Sequence, residues 1–115
     1  MIDVKKDVYS KLSSLGLPCF YEVFLTKDTK LPCISYFEIA NLSDSVGDTM
    51  GYSTIRMSTK IWAKDVKTLV EYSGKVDAAM RELGYKRVNS NELWLDGIGQ
   101  LQLTYQAQAL EEFNK

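Results

Sequence analysis

The feature that most constrains the fold is an alternation of side-chain character along residues 53–64. A period of two predicts a β-strand with one buried face and one solvated face. The predicted core face carries Ile55, Met57, Thr59, Ile61 and Ala63. Trp62 falls on the polar side of this strand. A large aromatic residue is seldom left in water, so we expect Trp62 to be covered within the chain or by another subunit.

The last predicted strand, residues 100–109, alternates in the same way. Its core face is predicted to carry Leu101, Leu103, Tyr105, Ala107 and Ala109. Its outer face carries Gln100, Gln102, Thr104, Gln106 and Gln108. An exposed strand edge is usually protected by Lys or Pro, and this strand has neither. The glutamines are therefore either polar filler on a solvated face or part of a contact with another strand or subunit, with Gln102 and Gln106 as candidate interface residues.

Two segments have the spacing of amphipathic helices, residues 2–15 and residues 66–83. Gly16 is predicted to end the first helix, Asp65 to cap the second, and Gly84 to follow it. The first helix places on one face Val4, Val8, Leu12 and Leu15. The apolar stripe predicted for the second consists of Val66, Leu69, Val70, Val76, Ala79, Met80 and Leu83.

Further strands are predicted at residues 19–25, 33–41, 85–88 and 93–95. Residues 89–92 are predicted to be a polar break, and Asp96 and Gly97 to form a hairpin turn. The element order is therefore α-β-β-β-α-β-β. This order predicts an α+β fold, with an antiparallel or mixed five-stranded sheet and two helices packed on one face. With 115 residues, we expect one domain, residues 1–115.

The most loop-like stretch is residues 42–52, which is rich in Ser, Asp, Thr and Gly. It is predicted to be a loop at the tip of a β-hairpin. Loops on a rigid scaffold often carry binding function, so this one is a candidate interface. The candidate residues are Ser43, Asp44, Ser45, Val46, Gly47, Asp48, Thr49 and Met50.

The composition argues against several classes of function. The chain has no histidine, the commonest general base and metal ligand, and it has neither a GxGxxG motif nor a P-loop. We therefore expect no enzyme, no cofactor and no metal site. Fourteen basic and fifteen acidic residues leave a net charge of −1, which disfavours nucleic-acid binding. No signal peptide or apolar run long enough for a membrane span is visible, so we expect a soluble protein made in a cytoplasm.

Only two cysteines occur, Cys19 and Cys33. They are too far apart for a CxxC motif and too few for a zinc site. We interpret both as small apolar residues within strands, since a reducing cytoplasm disfavours a disulfide.

Several short features follow one another along nearly the whole chain. They are Gly16-Leu17-Pro18, Phe20-Tyr21, Pro32-x-Ile34-x-Tyr36, Ile61-Trp62-Ala63 and Leu83-Gly84-Tyr85. In this order and spacing, the chain resembles the tail-terminator or tail-completion proteins of long-tailed bacteriophages and prophages. The resemblance implies a ring, usually a hexamer, at the head-proximal end of the tail tube. Such a ring ends tube polymerisation and joins the tail to the head.

The resemblance also implies partners and a location. The partners would be other copies of the chain, the tail tube protein and the head–tail connector protein. The protein would be assembled in the cytoplasm of the host bacterium and would end in the virion. The near-neutral charge is compatible with a structural ring, and the loop at residues 42–51 is the best candidate to project toward the tube, a neighbouring subunit or the lumen.

Three alternatives stay open from the sequence. The first is another head–tail joining protein, of the neck or connector type. The second is a small-molecule or peptide-binding domain of a bacterial protein, which requires an apolar pocket with convergent polar groups. The third is an enzyme that uses only carboxylates, tyrosine and lysine, which requires a cleft with strongly perturbed pKa values.

Overall fold

A computed structural model of the chain describes residues 4–22, 26, 28–46 and 50–112. Within these residues there are two helices and five strands in the predicted order, and the fold is α+β. The helices are α1 (Lys5–Ser13) and α2 (Val66–Glu82). The strands are β1 (Cys19–Tyr21), β2 (Cys33–Val46), β3 (Met50–Ala63), β4 (Lys86–Leu95) and β5 (Ile98–Glu112).

The five strands form one mixed sheet in the order β1-β2-β3-β5-β4. β1 pairs with β2 in parallel, and every other neighbouring pair is antiparallel. β3 lies at the centre and pairs along its whole length with β5, from Met50 opposite Glu112 to Ala63 opposite Gly99. The strand with the clearest alternation in the sequence is thus the middle of the sheet.

One face of the sheet is covered by both helices and holds the main core. The predicted inward residues of β3 are all buried, and Leu103 and Tyr105 of β5 lie beside them. Helix α1 contributes Val8 and Leu12. Helix α2 contributes Leu69, Val76, Ala79 and Met80. The predicted stripe of α2 is wrong at its first turns, because Val66 and Val70 are exposed.

The predicted cap of α2 and the predicted hairpin turn are confirmed, whereas α1 ends at Ser13, two residues before its predicted end at Leu15 and three before Gly16. The Asp65 side chain accepts a hydrogen bond from the Thr68 backbone N–H at 3.2 Å, which satisfies one of the free donors at the start of α2. Asp96 and Gly97 both have positive φ, 53° and 77°, and they join β4 to β5. Positive φ at both central residues matches the twist of the flanking strands in a tight hairpin, so this short turn fixes their register.

The predicted loop at residues 42–52 is largely wrong. β2 continues to Val46 and β3 begins at Met50, with Asp44 opposite Tyr52 and Ser43 opposite Ser53. Residues 47–49 lie outside the described residues. The Ser- and Asp-rich sequence favours a turn locally, but β5 supports β3 on its other side, and this long-range pairing overrides the local preference.

β2, β3 and β5 continue beyond the first residue of β4 as a three-stranded segment, here called the arm, with Ile55 and Ala107 at its base packed on the core. It consists of residues 41–46, 50–55 and 107–112, which pair with one another but not with β4. The molecule accordingly measures 52 × 23 × 23 Å. β5 continues through the arm to Glu112, three residues beyond the predicted end of the last strand at residue 109.

The predicted polar break at residues 89–92 is absent. β4 is one continuous strand, and its register against β5 shifts between Arg87 and Asn89, so that Val88 is an extra residue. Polar residues are tolerated here because all ten residues of β4 are exposed.

Other boundaries differ only at the ends. β1 is shorter than predicted, and residues 23–25 lie outside the described residues. The same holds for the start of the predicted first helix, residues 2 and 3. Helix α2 ends at Glu82, one residue earlier than predicted.

Candidate assembly surface

The face of the sheet opposite the helices, here called the open face, brings three of the predicted interface residues together. Trp62 lies opposite Gln100 in the β3–β5 register, and the two strands place Gln102 and Gln106 on the same face. The prediction that Trp62 points away from the main core is confirmed. This follows from the pleat, since alternate residues of one strand point to opposite faces.

Trp62 is half-buried and hydrogen-bonded within the chain. Its indole N–H donates to the Ser35 hydroxyl oxygen at 2.9 Å. The Ser35 hydroxyl in turn donates to a Glu22 carboxylate oxygen at 3.4 Å. Lys60 forms an ion pair with the same carboxylate at 2.8 Å, and its ammonium lies 5.9 Å from the Trp62 ring centre. These contacts cover part of the tryptophan inside one subunit and leave the rest available.

The predicted glutamine row is bonded to β3. The Gln102 amide donates to the Ser58 hydroxyl at 3.2 Å, and the Arg56 Nε–H donates to the Gln106 side-chain oxygen at 3.1 Å. Ser35 and Ser58 are fully buried on this face, although no described helix covers them. The Gln102 amide therefore acts as more than filler, because it satisfies the Ser58 hydroxyl, which the sheet shields from water.

The predicted loop residues occupy a separate region. Ser43, Asp44, Ser45 and Val46 lie on β2 within the arm, and Met50 begins β3. Gly47, Asp48 and Thr49 lie outside the described residues. Twelve positions of β3 separate Met50 from Trp62, about 40 Å at the usual rise per residue. Ser43 and Gln106 lie only three register rows apart, so the predicted residues spread along one sheet from the arm to Trp62 and do not converge on one compact site.

A third surface was not predicted from the sequence: the edge of the sheet formed by β4, here called the β4 edge. β4 pairs only with β5, so its outer side faces no described strand. After Arg87 it carries neither Lys nor Pro, the residues that usually prevent edge pairing. Large apolar residues at and beyond its end are exposed, namely Leu93, Trp94, Leu95 and Ile98.

The sequence does contain a signal for this edge. Leu93, Trp94 and Leu95 are three consecutive apolar residues before a tight turn. A strand with one solvated face would alternate instead, so a continuous apolar run marks a strand with apolar residues on both faces. Trp94 points to the helix-covered side, where its ring tip lies 2.7 Å from the position that a Cβ on Gly99 would take.

The two cysteines are buried and free, as predicted. Burial raises the pKa of the Cys33 thiol to about 11. Burial also raises the pKa of the Cys19 thiol to about 12. A thiol with a raised pKa is a weak nucleophile at neutral pH, because the thiolate is the reactive form.

The described residues contain no group of three or more His, Cys, Asp and Glu placed to hold a metal ion. In the same part of the chain, neither helix has the length and apolar character that crossing a membrane requires.

Comparison of the sequence with models of known protein families and with curated proteins gives no match.

Proposed function

We propose that this protein is a structural assembly protein of a long-tailed bacteriophage or prophage, of the tail-terminator or tail-completion class. In this proposal, copies of the chain form a closed ring at the head-proximal end of the tail tube. The ring ends tube polymerisation and offers a surface to the head–tail connector protein. The protein acts through its surfaces and not as an enzyme.

The observation that carries the proposal is the β4 edge. An unpaired strand edge with exposed apolar side chains favours pairing with another chain, and monomeric proteins usually block it. This edge is ten residues long, and Leu95 near its end is 70% exposed. A surface of this kind fits a protein whose role is to associate.

The arm supports the same proposal. It continues beyond the first residue of β4 and lies away from the apolar end of the β4 edge. Two different surfaces at different positions allow a head-to-tail contact, in which each copy uses one surface on each neighbour. Head-to-tail contacts produce a ring when the rotation between neighbours closes.

Analytical ultracentrifugation over a wide concentration range, with and without tail tubes, tests the proposal. We expect a closed oligomer in solution or on the tube end, and tubes that stop growing when the protein is added. A chain that stays monomeric at every concentration and leaves tube length unchanged contradicts it.

A substitution in the β4 edge localises the contact. Leu95→Lys places a charge at the exposed end of this edge and should weaken association by about tenfold or more. Val70→Lys is the matched control, because Val70 is 62% exposed on α2 and the charge change is the same. If Leu95→Lys and Val70→Lys associate equally, the β4 edge is not part of the interface. Circular dichroism should show native folding for both.

A further inference from the structure

A cavity of about 340 Å³ lies where the end of α2, the start of β4 and the middle of β5 meet. It is here called the basic cavity. Its lining residues are Asp77, Arg81, Tyr85, Lys86, Arg87 and Tyr105. Three of these six side chains are cationic and one is acidic, so the lining carries a surplus of two positive charges.

The acidic residue is already neutralised within the chain. Asp77 accepts a hydrogen bond from the Tyr105 hydroxyl at 2.5 Å and forms an ion pair with Arg87 at 2.8 Å. Burial raises the pKa of Tyr105 well above its usual range, and the hydrogen bond to Asp77 acts in the same direction. Tyr105 therefore remains a donor at neutral pH, and both carboxylate oxygens of Asp77 are occupied.

The surplus charge belongs to Arg81 and Lys86. Both side chains are exposed, and neither forms a hydrogen bond or ion pair with any residue that the structure describes. Arg81 comes from the last turn of α2 and Lys86 from the first position of β4. Arg81 and Lys86 thus line a cavity in which the one carboxylate, that of Asp77, already has its partners. Two cations without a partner among the described residues favour an anionic ligand.

The arm carries anionic residues at its far end. The last three rows of its register contain Asp44 opposite Tyr52, Glu111 opposite Gly51, and Glu112 opposite Met50. Three acidic residues thus occur within these rows, and none of the described residues in them is basic. The acidic end of the arm and the basic cavity therefore lie on different parts of the molecule.

We propose that the basic cavity binds the acidic end of the arm of a second copy of this chain, a contact that rests on the assembly role proposed above. Lys86 lies opposite Gln106 in the sheet, and Glu112 follows Gln106 by six residues. The arm of each copy therefore ends about 20 Å beyond its own basic cavity along nearly straight strands. The acidic end cannot fold back to this cavity, so the complementary charges meet only between copies.

Charge reversal tests this contact. The cavity variant is Arg81→Glu with Lys86→Glu, and the arm variant is Glu111→Lys with Glu112→Lys. Each variant should associate about tenfold more weakly than the wild type or worse, because like charges then face each other. A mixture of the two variants should associate again, since the basic arm of one fits the acidic cavity of the other. Sedimentation alone and with tail tubes measures these outcomes.

The matched control is Lys64→Glu with Lys67→Glu, which changes the net charge by the same amount at two exposed lysines, one just before α2 and one in its first turn. This control should associate like the wild type. Association of the wild type should also weaken at about 1 M salt, where the screening length is about 3 Å. Circular dichroism shows whether each variant folds.

Three outcomes overturn the inference. Association of the cavity and arm variants at wild-type strength places the contact elsewhere, and the assembly role then stands without it. If the wild type binds inorganic phosphate or DNA and the cavity variant does not, while both associate equally, the cavity binds a phosphate ligand instead. A wild-type chain that neither associates nor acts on tubes overturns both the inference and the proposed function.

Discussion

The two faces of the sheet are built from the same strands but exclude water in different ways. On the helix-covered face, Met57 and Ile61 are fully buried beneath α1 and α2. On the open face, Ser35 and Ser58 are equally buried, yet no described helix lies above them. Their shield consists of half-buried long side chains from the same sheet, with Trp62 hydrogen-bonded to Ser35.

This difference separates two kinds of stability. The helix-covered face depends on apolar area removed from water, which is worth about 25 cal/mol per Å². The open face depends on hydrogen bonds, each of which contributes about 1 kcal/mol. It also depends on the apolar parts of Trp and Lys side chains, which cover the sheet. The open face can therefore accept changes that would unfold the protein on the other side, which suits a surface that another protein contacts.

The largest difference between the two faces is expected when a charge is introduced on the helix-covered face. Met57→Asp buries an unpaired carboxylate among apolar residues, and we expect a loss of more than about 4 kcal/mol in the free energy of unfolding. The variant should be unfolded at room temperature by circular dichroism.

Arg56→Asp is the matched control for this change, because Arg56 is the preceding residue of β3 and lies exposed on the open face. It should retain the native spectrum and lose no more than about 1 kcal/mol, the value of its hydrogen bond to Gln106. A native-like Met57→Asp protein would show that the two faces had been assigned in reverse.

The second prediction tests the open face. Trp62→Phe keeps an aromatic ring but removes the indole N–H that donates to Ser35. We expect a loss of about 1 kcal/mol in the free energy of unfolding, measured by urea denaturation. A double-mutant cycle with Ser35→Ala should give a coupling energy of about 0.5 to 1 kcal/mol. Strict additivity of the two changes would mean that the hydrogen bond contributes nothing.

The smallest effect at neutral pH is expected for Tyr85→Phe on the helix-covered side. The Tyr85 hydroxyl is buried and has no hydrogen-bond partner among the described residues. Its removal should leave the free energy of unfolding unchanged or raise it by up to about 1 kcal/mol, since an unsatisfied buried group is lost.

The same substitution has a larger effect in alkali. Burial, assisted by Glu38 and Asp7, raises the pKa of Tyr85 from 10 to about 12. Between these two pH values the phenol is neutral in the folded protein but ionised in the unfolded chain. The free energy of unfolding is therefore unaffected by this group below about pH 10 and decreases between about pH 10 and 12. The urea midpoint should fall less between pH 7 and pH 11 for Tyr85→Phe than for the wild type. An equal fall in both would assign the alkaline loss to other groups.

Local patterns predict the parts of this fold that local physics decides. The alternation around Met57 gives the central strand and its buried face, Asp65 gives the start of α2, and Asp96 with Gly97 gives the last hairpin. In each case the sequence contains both the residue type and the spacing that the structure requires.

Long-range pairing decides the parts that the sequence did not predict. Ser43, Asp44 and Ser45 favour a turn on their own and become a strand only because β3 pairs with them. The basic cavity joins Asp77 on α2 to Tyr105 on β5, residues that are 28 positions apart. No single-sequence pattern relates such residues, because the contact exists only after the helix has packed on the sheet.

The full-length pairing of β3 has a mechanical consequence. Antiparallel hydrogen bonds lie perpendicular to the strands, so a pull along the 52 Å axis loads the ladders of β3 in shear, with all bonds sharing the force. A pull on β4 from the side instead opens its ladder one bond at a time. The molecule is therefore stiff in tension along its length and weak to peeling at its exposed edge, so its resistance to force depends on the direction of the load.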